Sequence, residues 1–123
     1  MSKRILFVED NHYHRLMVTD LLESRGYTLR CLPDGDDFFT AIAEFKPCLI
    51  LLDLKLPKVD GYTLLEQLMD SQWQSIPVVV ISAYAFEHEQ KRALDLGARS
   101  YLTKPTKLDD ICGAIEAAMG SCN

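Results

Sequence analysis

Three short stretches, "RILFVED", "CLILLD" and "PVVVIS", are nearly unbroken runs of aliphatic and β-branched side chains, each closed by an acid or a hydroxyl. They are too short for core helices, and a strand with apolar residues on both faces has to be covered from both sides. Two more strand-like stretches, "YTLRCL" and "ARSYLT", bring the set to five, and segments with helical spacing separate them. The alternation predicts an α/β chain: a parallel sheet with helices on both faces.

The intervening helices are legible from their apolar stripes. The first is expected over 13–24, with Met17, Val18, Leu21 and Leu22 on one face and Gly26 as its stop. Phe38, Phe39, Ile42 and Phe45 mark a second, and Leu64, Leu65 and Leu68 a third that follows Gly61. A more polar fourth covers 86–96 and ends at Gly97; a fifth, 108–119, is expected to bury Leu108, Ile111, Ile115 and Ala118. There is no linker, repeat or low-complexity tract. With 123 residues, 48% of them hydrophobic and 25% charged, the chain suits one domain over 1–123 with one ordinary core, and a frayed tail "GSCN".

A formal charge of -5 leaves no basic face for nucleic-acid phosphates, so no direct nucleic-acid contact is expected. No apolar stretch has the length of a membrane span, and "MSKRILFVED" turns acidic too early for a secretory signal. A cytoplasmic protein without a membrane partner is the expectation. Cys31, Cys48, Cys112 and Cys122 form no CxxC pair and read as reduced packing residues.

In an open parallel sheet all carboxyl ends of the strands lie on one edge, and ligands bind in the crevice there. Strand one finishes in Glu9 and Asp10, strand three in Asp53, strand four in Ser82, and strand five leads through Thr103 to Lys104. Taken singly, each has a plain structural use as a turn former or a helix cap. Gathered at one edge, three carboxylates beside a low-dielectric core raise one another's pKa or demand a counter-cation. Oxygen donors suit hard Mg²⁺, and Lys104 would supply a further positive charge. The chain has neither a GxxxxGK phosphate loop nor a GxGxxG turn, which argues against a nucleotide enzyme.

With "ED", "LILLDLKLPKVDG", "VVVISAY" and "SYLTKPT" in this order, the chain resembles the receiver domains of two-component response regulators, as in single-domain chemotaxis and cell-cycle regulators. The resemblance implies a flavodoxin-like (βα)5 three-layer sandwich of strand order 2-1-3-4-5. It implies that Asp53 accepts a phosphoryl group from a phosphohistidine of a sensor histidine kinase or phosphotransfer protein. Asp10 and Asp53 would bind Mg²⁺ with the backbone carbonyl of Lys55, and Glu9 would act through a bound water. Lys104 and the Ser82 hydroxyl would contact phosphoryl oxygens, and the Lys104-Pro105 peptide would be cis. Ser82 and Tyr101 would form the switch that reshapes the face of helix four, strand five and helix five for a downstream target or a self-dimer. Lys55 and Tyr84 would tune the lifetime of the phosphate. Such a chain is no enzyme in the ordinary sense, since it promotes only its own phosphotransfer and self-dephosphorylation. Its first residue and short tail read as those of a stand-alone regulator.

Other features carry less. His12 and His14, two apart on a helix, do not face each other, so joint metal ligation is not expected; His12, nearer the acids, is the candidate to modulate them. His88 reads as part of a solvated helix face, and Trp73 as a partly exposed loop aromatic. Two rival functions stay open. A phosphatase or mutase of the haloacid dehalogenase type also uses an aspartyl phosphate, but it wants an acid where this chain has Lys55, and a cap domain for which there is no room. A phosphate-independent scaffold of receiver shape would not need the full acid, hydroxyl and lysine set.

Overall fold

The computed structural model describes residues 3–119. Cys122 and the "GSCN" tail, expected to fray, lie outside the described residues. Five strands and five helices alternate: β1 Lys3–Val8, α1 His12–Ser24, β2 Tyr27–Leu32, α2 Phe38–Phe45, β3 Leu49–Leu52, α3 Gly61–Met69, β4 Val78–Ser82, α4 Glu87–Asp95, β5 Ser100–Thr103 and α5 Leu108–Met119. All strand pairs are parallel, in the order β2-β1-β3-β4-β5. The α/β fold class and the strand order inferred from the resemblance both hold.

The covered strands explain the sheet's position. Every residue of β3 and β4 is buried, and successive side chains point to opposite faces. Leu6, Val8, Ile50, Leu52, Val78 and Val80 pack with Phe38, Ile42, Leu65, Leu68 and Ala93 in the layer of α2, α3 and α4. Ile5, Phe7, Leu49, Leu51, Val79 and Ile81 pack with Val18, Leu22, Ile111 and Ile115 in the layer of α1 and α5. Two cores thus flank one sheet.

Two expected core residues are exposed instead: Met17 at 55% and Leu108 at 38%. Helix α1 meets the sheet through Val18 and Leu22, one turn apart, and Met17 projects to the side of that stripe. Leu108 opens α5 at the carboxyl edge, before Ile111 and Ile115 reach the core. Both line one depression of about 440 Å³ with His14, Lys104, Pro105 and Thr106. Trp73 is half-buried as expected and stacks on Phe39, with centroids 6.2 Å apart. His88 is exposed, in keeping with a solvated face. Cys31 and Cys112 are free thiols.

The turn behind β3 is fixed by close approach of backbone to backbone. The Gly61 N–H donates to the Leu54 carbonyl at 2.9 Å. A Cβ at Gly61 would lie 2.5 Å from both the Asp53 carbonyl oxygen and the Leu54 Cα. Backbone atoms cannot rotate aside, so this position demands glycine. Asp60 then caps α3, its Oδ1 accepting from the Tyr62 N–H at 2.8 Å. Replacing Gly61 with Ala is therefore expected to cost about 1–3 kcal/mol of stability through overpacking. Urea unfolding measures this, and an unchanged midpoint would mean that the turn can recede from Asp53.

Candidate functional site

Strand pairing carried one residue past each strand end brings the polar residues together. The Glu9 N–H donates to Leu32 O at 3.0 Å, and the Asp53 N–H to Val8 O at 3.0 Å. On the other side, the Lys104 N–H donates to Ser82 O at 2.8 Å. Glu9 and Ser82 are fully buried and Asp53 is 3% exposed, whereas Asp10 and Lys55 are exposed. Carboxylate oxygens of Glu9, Asp10 and Asp53 all lie within 4.8 Å of one another.

Lys104 joins the buried pair. Its Nζ donates to Glu9 Oε1 at 2.6 Å and to Asp53 Oδ2 at 3.0 Å. The Lys104-Pro105 peptide is cis, as the resemblance implied. Burial pushes the Asp53 carboxyl up to about 6, with the neighbouring Glu9 charge adding to it and Lys104 opposing it. Burial would also raise Glu9, but hydrogen bonds from His14, Lys104, Asp53 and the Asn11 N–H together hold it well below the ordinary carboxylate range. Burial disfavours the charged form of Lys104, yet its bonds to Glu9 and Asp53 outweigh this and raise its pKa. Three carboxylates against one ammonium leave the cluster short of positive charge. An all-oxygen donor set of this span suits a hard divalent ion such as Mg²⁺.

The remaining expected residues lie around this centre. Lys55 donates its backbone N–H to Asp53 Oδ1 at 3.0 Å. Ser82 Oγ accepts from the Tyr84 N–H at 3.2 Å, and Tyr101, half-buried, donates its hydroxyl to Tyr84 O at 2.6 Å. Tyr84 also stacks on Tyr62, their rings within 6° of parallel and 6.5 Å apart. The Tyr62 hydroxyl meets the Glu89 carboxylate, and the Arg92 guanidinium lies 4.0 Å from the Tyr62 ring centroid. Hydroxyl, loop and helix α4 thus form one connected set.

His12 is exposed, and its Nδ1 stands 3.5 Å from Arg15. It is His14 that reaches the acids, with Nδ1 2.6 Å from Glu9 Oε1. The expectation that His12 is the histidine nearer the acids is thus corrected to His14. The missed signal is the cap: Asn11 Oδ1 accepts from the His14 N–H at 3.0 Å, which makes His14 the third helical residue. Side chains there lean back toward the residues before the helix. Arg15, also missed, donates from Nη1 to Glu9 O at 2.6 Å.

The sequence matches the family model for the response regulator receiver domain over residues 5–116. It is 30% identical over 121 residues to the polar-differentiation response regulator DivK of Brucella anthropi, covering 98% of each chain. It is 36% identical over 110 residues to protein-glutamate methylesterase/protein-glutamine glutaminase 3 of Geobacter sulfurreducens. That match covers 85% of this chain, which spans only 28% of the larger protein. Among solved structures, the receiver domain of sensor histidine kinase PA1611 from Pseudomonas aeruginosa PAO1 superposes with a TM-score of 0.88 and 26% identity, over 98% of this chain and 100% of the other. That structure has a magnesium ion coordinated in its active site cleft.

The raised carboxyl of Asp53 has a consequence for stability without metal. Its folded pKa of about 6 lies above the ordinary 3.8, so between those values the folded chain keeps a proton the unfolded chain has lost. Stability from this group falls as pH rises through that window. Glu9 acts in the opposite sense: its contribution is present above 4.5 and is lost as pH falls. Asp53→Asn, free of divalent ions, is expected to gain on the order of 2 kcal/mol near pH 7. The gain should vanish toward pH 4. Urea titrations across this range check it, and a variant less stable near pH 7 would contradict it.

Proposed function

The chain belongs to the response regulator receiver domain family, and on that footing we propose that Asp53 is the phosphoacceptor of a two-component switch. The donor is a phosphohistidine of a sensor histidine kinase or phosphotransfer protein. The observation that carries this reading is the Lys104 ammonium bridging the buried Glu9 and Asp53 carboxylates at the sheet's carboxyl edge.

An Asp53 carboxylate oxygen attacks phosphorus, the P–N bond to the donor imidazole breaks, and its electron pair leaves on the ring nitrogen, which takes up a proton. What the acceptor must supply is alignment and positive charge, because phosphoryl transfer is governed by positioning and electrostatics. Lys104 turns its ammonium to a phosphoryl oxygen, a charge-assisted contact, and Ser82 offers its hydroxyl to another. Asp10, Asp53 and the Lys55 carbonyl, with Glu9 through water, are the groups that would hold Mg²⁺. When bound, the ion neutralises phosphoryl oxygens. The depression lined by Met17, Leu108 and Pro105 opens beside Lys104; its exposed apolar side chains suit a docked helix bearing the donor histidine.

Switching begins at Ser82. As its hydroxyl turns to the phosphoryl group, the Tyr84 N–H loses its acceptor, and the Tyr101 hydroxyl loses the fixed position of Tyr84 O. The disturbance runs through Tyr62 and Glu89 into α4, reshaping the α4-β5-α5 face for a downstream partner or a self-dimer. The chain works in the cytoplasm as one receiver domain over 1–123, and its catalysis is confined to its own phosphorylation and dephosphorylation. Lys55 and Tyr84 flank the path of attacking water. The haloacid dehalogenase alternative fails on Lys55, which stands where that chemistry needs an acid.

With Mg²⁺ and a small acyl-phosphate donor, intact mass should show addition of one phosphoryl group, labile in base. Asp53→Asn should abolish it, and a phosphate that persists in this variant removes the assignment. Tyr84→Ala should lose its phosphate severalfold faster, read by the same assay after the donor is removed; an unchanged decay would exclude shielding by Tyr84.

A further inference from the structure

We propose that His14 is a positioning residue, which keeps the buried Glu9 carboxylate paired while Lys104 shifts from the two acids to a phosphoryl oxygen on Asp53. The inference rests on the phosphoacceptor reading of Asp53.

Lys104 is shared in this structure: the same ammonium meets Glu9 Oε1 at 2.6 Å and Asp53 Oδ2 at 3.0 Å. A phosphoryl group on Asp53 calls that ammonium outward. Glu9 cannot swing out to bulk solvent, because its side chain is fully buried, and a buried carboxylate that loses its cation opposes the motion. His14 meets this need. Its Nδ1 lies 2.6 Å from the very oxygen that Lys104 would vacate, while the Asn11 N–H holds Oε2 at 3.2 Å. Each Glu9 oxygen then keeps one donor. A carboxylate only accepts, so Nδ1 carries the hydrogen, and a neutral ring suffices.

The ring is held for this task. The His14 backbone is fixed by the Asn11 cap, the ring packs edge-on against Phe7 with centroids 6.0 Å apart, and the side chain is only 16% exposed. With its Nδ1 committed to Glu9, His14 acts through Lys104 and not on the phosphoryl group.

The test uses beryllofluoride, a phosphoryl mimic that binds without a chemical step, titrated by calorimetry in saturating Mg²⁺. His14→Leu and His14→Ala, confirmed as folded by thermal melts, are expected to bind it about tenfold more weakly than the parent. His14→Asn, which can place an amide N–H near the Nδ1 position, should restore most of the loss. In a Lys104→Ala background the same His14 substitutions should add no more than about twofold, because there is no ammonium left to release. Parental affinity in His14→Leu and His14→Ala overturns the proposal, as does an equal loss with and without Lys104. A parent protein that binds no beryllofluoride instead overturns the phosphoacceptor reading beneath it.

Discussion

A single ammonium stands between two buried carboxylates, and much of the molecule serves to keep it there. Glu9 and Asp53 end adjacent strands, where the sheet's interior offers them little solvation and where like charge drives them apart. Lys104 arrives from the far edge strand, and its backbone bond to Ser82 sets the depth its side chain can reach. The arrangement leaves Glu9 firmly ionised and Asp53 readily protonated. Burial raises both acids, and the larger set of hydrogen bonds to Glu9 outweighs it there but not at Asp53. The one with fewer donors is left available for chemistry.

The scaffold is rigid where that pairing needs it. Strand bonds extend one residue beyond β1 and β3, so the two acids are placed by backbone and not by side-chain choice. Behind Asp53 the Gly61 backbone lies close against the strand end, giving that carboxylate a fixed wall. Asp10 and Lys55, both exposed, and the half-buried Tyr84 lie further out. The site thus joins buried charges placed by the backbone with neighbours nearer the surface.

Much of this could be read from the chain because it is written in local pattern. Unbroken apolar runs such as "LILL" have one comfortable home, a covered parallel strand, and parallel strands put their ends on one edge. Glu9, Asp10, Asp53, Ser82 and Lys104 followed from that topology alone. Strand order needed the family resemblance, since any sequence of covered strands satisfies the same pattern. What escaped was tertiary. His14 outranks His12 only once the Asn11 cap fixes where α1 begins. Met17 fits an apolar stripe as well as Leu21 does, and only the depth of the sheet decides that it stays outside. The contact of Tyr62 with Glu89 spans 27 positions, and neither residue carries a mark of it in its own neighbourhood.

The sheet's two covering layers divide the labour. The apolar rim of Met17 and Leu108 belongs to the α1 and α5 side, whereas Tyr62, Tyr84 and Tyr101 pack with the opposite layer. A visitor seated on that rim leaves the tyrosine flank uncovered. The face proposed for readout nevertheless includes α5, the helix that carries Leu108, so the rim and that face meet along one helix.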